Sequence, residues 1–600
     1  MNNNQKNSFY NDPSISLVKA GSWDDAKNVQ SIIKSSLNKV LGNGEIDIEI
    51  ERPQSGTFGD YSTNIAMILS KNREQSPMDL ATEIIEMLKK DDNLKDIVDE
   101  ISIAKPGFIN FKLSQLVLFQ EIIKVLTIRN DYSQENILKG KRIMFEYAHP
   151  NPFKAFHIGH LRNIILGESL IRILEKMGAE VIRVNYQGDV GMHIAKCLWS
   201  FKKIQEKDFP TDTTERVALL AKCYAEGASA FNDEVHQNEI KDINKLIYTK
   251  ENELINKLWE TGKKWSLDKF HQIYKRVDST FAKEYFESET LTLCKKFIDL
   301  ALEKGILEKS QGAVIFNGEK YGLETRVFLN SQGLPTYEGK ELGLASLQFN
   351  DFGDIDLCIH NVAVEQISFF KTTFKVESLL DPEKFQGKQY HNAYEFVGLK
   401  SGKMSSRTGN VVLGEDILNQ AVTMIKEIIK TKSSLPEKVI DETAESIGVG
   451  AVKYAFLNIS PKSYLAFDID KSVNFDGNSG PYLQYTYARS LKIVKDSTGY
   501  RMLKPEQFKK LEFNDEEAQL MHKIFEFNEV VIEAGKHLSP NYITTYLFEL
   551  SQIFNQFYKQ HPILKADEPI RSFRIMLADS TSEILEIGLN LLGINIVAQM

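Results

Sequence analysis

A chain of 600 residues with 42% apolar content can bury a large core and divide into several domains. Its net charge of −9 weighs against indiscriminate nucleic-acid binding and leaves room for local basic patches. Four scattered cysteines, Cys197, Cys223, Cys294 and Cys358, exclude a disulfide scaffold and read as reduced thiols. The first residues lack the basic start and apolar stretch of a secretory signal, and no apolar run reaches the ~18 residues of a membrane span. A cytoplasmic protein without a membrane partner is expected.

Residues 1–20 read as a disordered tail. Residues 21–116 read as a small α/β unit, with a helix over Trp23–Val40, an alternating strand over Ile46–Ile50, a helix from Asn64 and a strand over Gly107–Phe111. A polar connection near Asn130–Asn136 leads into an apolar strand ending at Tyr147, which Pro150 and Pro152 must break. From Ile158 to Met177 the apolar residues fall nearly all round a helical wheel, the sign of a buried helix. Gly178 ends it, and Glu180–Asn185 reads as a second strand, completing a βαβ unit. His157 and His160 therefore lie where the helix begins, beside free N–H groups and a partial positive charge, and can donate to a polyphosphate. Such a pair also fits a packed core or a metal; no cysteine or carboxylate at ligand spacing completes a zinc site, so no protein-held metal is expected.

Gln187–Gly191 is a Gly-rich turn at the carboxyl end of the second strand, where doubly wound sheets place ligands. Residues 197–307 read as a helical insertion, after which Gly312–Phe316 and Arg326–Asn330 resume the second half of the fold. If Pro335 opens a helix, Tyr337 and Glu341 share one face; a pocketed carboxylate beside a phenol would hold a guanidinium through paired bonds that an ammonium cannot copy. Asp356–His360 reads as a buried strand. Gly398–Asn410 nearly mimics a P-loop, but its glycines are one residue too close and Met404 stands where Ser or Thr would bind magnesium. From about Asp441 the pattern is helical to the end, as in a separate bundle.

The string Pro150–Arg162, with His157-Ile158-Gly159-His160 inside it, resembles the HIGH signature of class I aminoacyl-tRNA synthetases in its arginyl form. Gly398–Asn410 resembles the KMSKS loop that closes over the ATP phosphates in that class. Its second lysine is replaced by Ser406; arginyl enzymes lacking that lysine carry one just before HIGH, and Lys154 occupies that place. Phe58–Ala66 and Lys105–Phe111 resemble the family's N-terminal domain, implying a surface toward the tRNA elbow. Phe467–Asp470, Asn478–Arg489 and the ending at Met600 resemble its anticodon-binding domain.

The resemblance implies a multidomain α/β protein: a small α/β N-terminal domain (21–116), a Rossmann-like parallel-sheet class I catalytic domain (117–440) and an all-α C-terminal bundle (441–600). It implies an arginine–tRNA ligase, acting as a monomer, that uses ATP and Mg2+ to make arginyl-adenylate and pass arginine to the 3′-terminal ribose of tRNA(Arg). Catalysis is expected from His157, His160, Lys154 and Lys403, and ATP binding from the two histidines, Gly159, Met404, Ser405 and Ser406. Arginine is expected at Asn151, Tyr337, Glu341 and Gln366, and tRNA at Tyr482, Gln484, Tyr485 and Arg489. The family pairs its tyrosine with Asp; Glu341 is one methylene longer. Phe369 replaces a histidine often found there, so no proton transfer is assigned to it. The competing readings are another class I synthetase, a small-molecule adenylyltransferase and an inactive RNA-binding paralogue.

Overall fold

The structure is a computed structural model that describes residues 28–42, 47–53, 58–71, 74–134, 136–400, 412–432 and 436–598. Among these, no helix is long and apolar enough to cross a membrane. The N-terminal unit packs helices α1 (Val29–Leu41) and α2 (Pro77–Leu88) with an antiparallel sheet ordered β1 (Tyr61–Thr63), β3 (Phe108–Leu113), β2 (Val98–Ala104). Of the strand expected over Ile46–Ile50, Ile46 lies outside the described residues and 47–50 are not in a strand. Ile48 and Ile50 are buried as their alternation predicts; the backbone meets the sheet through a bridge from Glu51 to Ser62, and Pro53 has no N–H to extend it. The Asp60-Tyr61 string is spent on an internal contact: Asp60 pairs with His522 at 2.7 Å, and Tyr61 is fully buried against Glu529 of the C-terminal bundle.

The central sheet is parallel throughout, in the order β11 (Gln389–Tyr394), β10 (Leu357–Ala363), β4 (Arg142–Glu146), β5 (Glu180–Gln187), β6 (Lys283–Phe286). The chain builds outward from β4 through β5 and β6, then restarts on the other side with β10. The switch point, where ligands bind in such folds, therefore lies between β4 and β10. Strand β6 falls inside the stretch expected to be a helical insertion. The inserted helices, from α4 (Met192–Phe201) to α5 (Glu253–Arg276), have their own apolar core around Ile194, Ile243 and Trp265 and end before β6. The segments expected to resume the central fold, β8 (Ala313–Phe316) and β9 (Arg326–Leu329), instead join β7 (Glu308–Ser310) in a separate antiparallel sheet.

Helix α3 (Ile158–Lys176) crosses from β4 to β5 and is buried along nearly its whole length, as its wheel predicts. It packs on the sheet and on α9 (Gly414–Lys432), α10 (Glu437–Leu457), α12 (Asp515–Lys536) and α14 (Ile570–Leu591), while α11 (Gly480–Asp496) and α13 (Asn541–Gln560) complete the C-terminal helices. The short β13 (Leu465–Phe467) lies past the boundary expected near residue 440, yet it pairs with β12 (Val397–Leu399).

The loop between β4 and α3 is held in an unfavourable backbone conformation. Ala148 (φ 78°), His149 (φ 53°) and Phe153 (φ 65°) all lie in the left-handed region, which non-glycine residues enter at a cost of about 1–3 kcal/mol each. Each donates its backbone N–H to a buried side chain: Ala148 to Asn163 Oδ1 (2.8 Å), His149 to Asn185 Oδ1 (3.0 Å) and Phe153 to Ser266 Oγ (2.9 Å). Asn163 also donates Nδ2 to Asn361 O and to the Tyr394 hydroxyl, tying β10 and β11 to the loop. Asn163→Ala leaves several buried groups unpaired at about 1–3 kcal/mol each. The urea midpoint of the catalytic unit is expected to fall clearly, and an unchanged midpoint would refute this reading of Asn163.

Candidate active site

His157 is the N-cap of α3, and both histidine rings are committed to the backbone on one side. His157 Nδ1 accepts from the Gly159 N–H at 3.1 Å, and His160 Nδ1 accepts from the His157 N–H at 3.2 Å. A ring nitrogen that accepts carries no proton, so each imidazole is neutral with its proton on Nε2. Burial, reinforced by Lys154, holds the His157 pKa below the usual range; burial and then His157 hold His160 further below. The rings stack at 3.8 Å between centroids, leaving two parallel Nε2–H donors at a helix N-terminus. Glycine is required at 159 because a Cβ there would lie 2.9 Å from His157 Cε1.

The stretch that carries the Lys/Ser cluster returns to the same place. Lys403, Met404, Ser405 and Ser406 lie outside the described residues, but both stems are visible. The chain leaves along β12, with Lys400 bonded to Phe467 O and Asp468. It re-enters at Val412, whose carbonyl accepts from the Ile158 N–H at 3.0 Å, while the Gly414 N–H donates to Phe156 O at 2.9 Å. Arg162, one turn into α3, reaches the carbonyls of Phe396, Pro461 and Ser463.

Next to the histidines is a cleft of about 470 Å³ lined in part by Lys154, Gly191, His193, Lys196, Tyr337 and Lys340. The N-terminus of α4 opens into it at Met192, at the end of the Gly-rich turn after β5. Burial holds the Lys154 pKa below the lysine range, opposed by Glu287. His193, pushed down to about 3 by burial, is neutral, so the charge facing a ligand comes from the lysines. Asn151 helps to shape the wall: its Oδ1 accepts from the Gly188 N–H at 2.7 Å, and a Cβ at Gly188 would fall 2.9 Å from that oxygen.

Beneath the cleft lies a buried set of carboxylates. Glu287, at the start of the helix after β6, pairs with Lys340 at 2.6 Å. Glu146 ends β4 and stands in register with His360 on β10. Glu341 is 4% exposed and its Oε1 has no hydrogen-bond partner. Burial and then Glu146 push its pKa well above the carboxylate range. Tyr337 and Glu341, expected as a pair, are divided between levels: Tyr337 is 68% exposed at the rim while Glu341 forms part of the floor. Gln366, in the turn that follows β10, borders the same edge.

A family model described as "tRNA synthetases class I (R), catalytic domain" matches residues 121–468, more than half of the chain. The chain belongs to the arginyl-tRNA synthetases. Models described as "Arginyl tRNA synthetase N terminal domain" and "DALR anticodon binding domain" match 27–113 and 483–600. The arginine–tRNA ligase of Clostridioides difficile is 31% identical over 93% of this chain and 97% of its own. That of Treponema denticola is 32% identical over 94% and 96%. The arginyl-tRNA synthetase structures from Thermus thermophilus and Plasmodium falciparum share the fold, each with a TM-score of 0.78, at 22% and 21% identity. They cover 96% and 98% of this chain and all of their own.

In this arginyl-tRNA synthetase the residues expected to meet tRNA separate into two groups. Gln484 is fully buried, with Nε2 donating to Asn595 O at 2.7 Å, so it is a packing residue rather than an RNA contact. The Tyr482 hydroxyl accepts from Asn555. Tyr485 and Tyr558 are exposed, and the Arg489 guanidinium lies between them, 4.6 and 5.0 Å from their centroids, an assembly with π faces open to a base. Glu146, Glu287, Lys340 and His360 were not legible as site residues, although a charged or titratable group inside an apolar strand, as in Met144-Phe145-Glu146 and Cys358-Ile359-His360, is the signal that marks two of them. Gly159→Ala pushes the His157 ring off its cap. Arginine activation is expected to fall about 100-fold with an unchanged melting temperature, and near-normal pyrophosphate exchange would contradict this geometry.

Proposed function

We propose that this sheet edge activates L-arginine with ATP and transfers it to the 3′-terminal ribose of tRNA(Arg), with the residue roles that follow. The observation that carries the reading is Glu341 Oε1: a buried carboxylate oxygen that accepts no hydrogen bond, deep beside a cationic cleft. A buried acceptor left unpaired is costly, and a guanidinium supplies the charge-assisted donors it lacks. Glu146 lies beside it, so the floor suits a planar, multiply donating cation better than an ammonium. Tyr337 covers the substrate from the rim, Asn151 holds the loop geometry, and Gln366 takes the α-amino group.

ATP lies with its phosphates along the N-termini of α3 and α4, under the Nε2–H donors of His157 and His160. A substrate carboxylate oxygen attacks the α-phosphorus, the bond to the β-phosphate breaks, and pyrophosphate leaves. Lys154 and the two imidazoles take up the charge gathering on the leaving group, a role shared with Lys403, Met404, Ser405 and Ser406 on sequence grounds. A ribose hydroxyl of tRNA then displaces AMP from the adenylate carbonyl. Mg2+ is carried by the ATP phosphates, as such ions usually are, rather than by an all-protein cage. When bound, it neutralises phosphate charge. The protein acts in the cytoplasm as a monomer, with residues 21–116 toward the tRNA elbow, a catalytic unit from 117 and a C-terminal bundle toward the anticodon. The pairing of β13 with β12 supports an end of the catalytic unit past 440.

Glu341→Gln removes a charge-assisted bond, so the arginine KM is expected to rise roughly 100-fold while ATP binding is spared. The measurement is pyrophosphate exchange with cognate tRNA present, and an unchanged arginine KM would sink the guanidinium contact. Lys154→Ala is expected to lower kcat by about 100-fold or more with arginine KM little altered. A near-normal rate would remove Lys154 from the chemistry.

A further inference from the structure

His360 is fully buried in β10, and the hydrogen bonds around it fix its charge. Gln389 Nε2 donates to Glu377 Oε2 at 2.8 Å, and the ionised form of that carboxyl, which only accepts, sets the amide orientation. Gln389 Oε1 therefore faces His360 Nε2, at 2.9 Å, and requires a proton there. The other ring nitrogen, Nδ1, lies 3.2 Å from Glu146 Oε1, again an acceptor, and 3.9 Å from Glu341 Oε1. Protons on both nitrogens make the ring an imidazolium. Its titration agrees in direction: burial opposes the charge and the Glu146 carboxylate raises the pKa above the histidine range, while the Cys358 thiol, itself pushed up by burial, stays neutral.

The surroundings leave His360 as the cation of this floor. Facing it are Cys358 from its own strand, Glu146 and His149 from β4 and its loop, Glu341 from the helix after β9, Glu377 from the helix after β10, and His391 from β11. Burial pushes His391 down to about 4 and lowers His149, so both are neutral; it pushes Glu377 up to about 7. A buried ion pair in an otherwise apolar strand gives little net stability over apolar packing, so stability alone does not account for it.

We propose that His360 is a positioning residue for arginine: as a buried imidazolium it fixes Glu146 by a hydrogen bond from below and leaves Glu341 Oε1, which accepts no hydrogen bond, to receive the substrate guanidinium. This rests on the reading of Glu341 given above. Without the imidazolium, Glu146 and Glu341 are neighbouring carboxylates with no resident counter-charge. Both hold protons to higher pH, and arginine must then compete with those protons. The requirement is for ionised carboxylates, so affinity lost at neutral pH returns as pH rises.

The test is His360→Gln, which keeps hydrogen-bonding capacity and removes the charge. Pyrophosphate exchange with cognate tRNA is run on the full chain from about pH 6.5 to about pH 8.5. Arginine KM is expected to rise about tenfold near pH 7, with kcat and ATP KM within about twofold, and to fall back toward the wild-type value at the alkaline end. A wild-type arginine KM with a wild-type pH profile overturns the proposal. Should the melting transition show that His360→Gln is unfolded, Gln389→Met removes the acceptor that orients the ring. The same shift in KM and pH profile is expected there, and its absence in the folded variant is equally decisive. Glu341→Gln run in parallel separates the two ideas: impaired Glu341→Gln with normal His360→Gln sinks only the role of His360, whereas a normal Glu341→Gln sinks the guanidinium reading itself.

Discussion

A helix must satisfy the N–H groups of its first turn, and α3 does so with the two imidazoles that its site presents to a ligand. His157 and His160 each spend Nδ1 on a backbone N–H, and that commitment fixes the tautomer, the ring planes and the direction of the remaining Nε2–H. A serine or aspartate would cap as well but would leave no outward donor. The glycine between them is needed because the His157 ring lies over the helix start. The strained loop ahead of the cap is stabilised by Asn163, Asn185 and Ser266, each from a different segment, so the position of the donors is set by the whole catalytic unit.

Charge is distributed with the same economy. The cleft carries lysines and neutral imidazoles, suited to anions, while the floor under it carries carboxylates in a low-dielectric setting. One edge of one sheet thus carries a cationic cleft above an anionic floor. The Lys340–Glu287 pair stands between the two regions and neutralises itself, which limits the direct interaction of cleft and floor.

Much of this was legible in the sequence where local physics dictates it. The βαβ unit from Arg142 to Gln187, the start of α3 and its apolar wheel follow from proline breaks, periodicity and Gly178. What was not legible depends on topology. Strand β6 is four residues, Lys-Glu-Tyr-Phe, too short and too charged to show a period, so it vanished into the helical stretch around it. Glu146 and His360 are 214 residues apart and become neighbours only because β10 inserts beside β4. Gln484 was expected at RNA because its string resembles the family's anticodon-binding domain; whether it faces solvent is decided by the C-terminal residues that cover it.

The apolar wheel of α3 raises a further physical question, since a helix with one end at an active site would ordinarily keep a wet face. Here the helix is covered by the sheet on one side and the C-terminal helices on the other, and its few polar side chains act as ties. Arg162 holds the stems around the Lys/Ser stretch near the N-terminus. About two to three turns further on, Ser169 Oγ donates to Leu591 O and Arg172 to Asn590 O, fastening the last turn of α14. A helix of 19 residues spans roughly 28 Å, so one rigid element joins His157 and His160 to the end of the C-terminal bundle. Burial on every side is therefore what this position demands: α3 is the axle on which the catalytic sheet and the C-terminal helices are both mounted, and a wet face would have left one of them unattached.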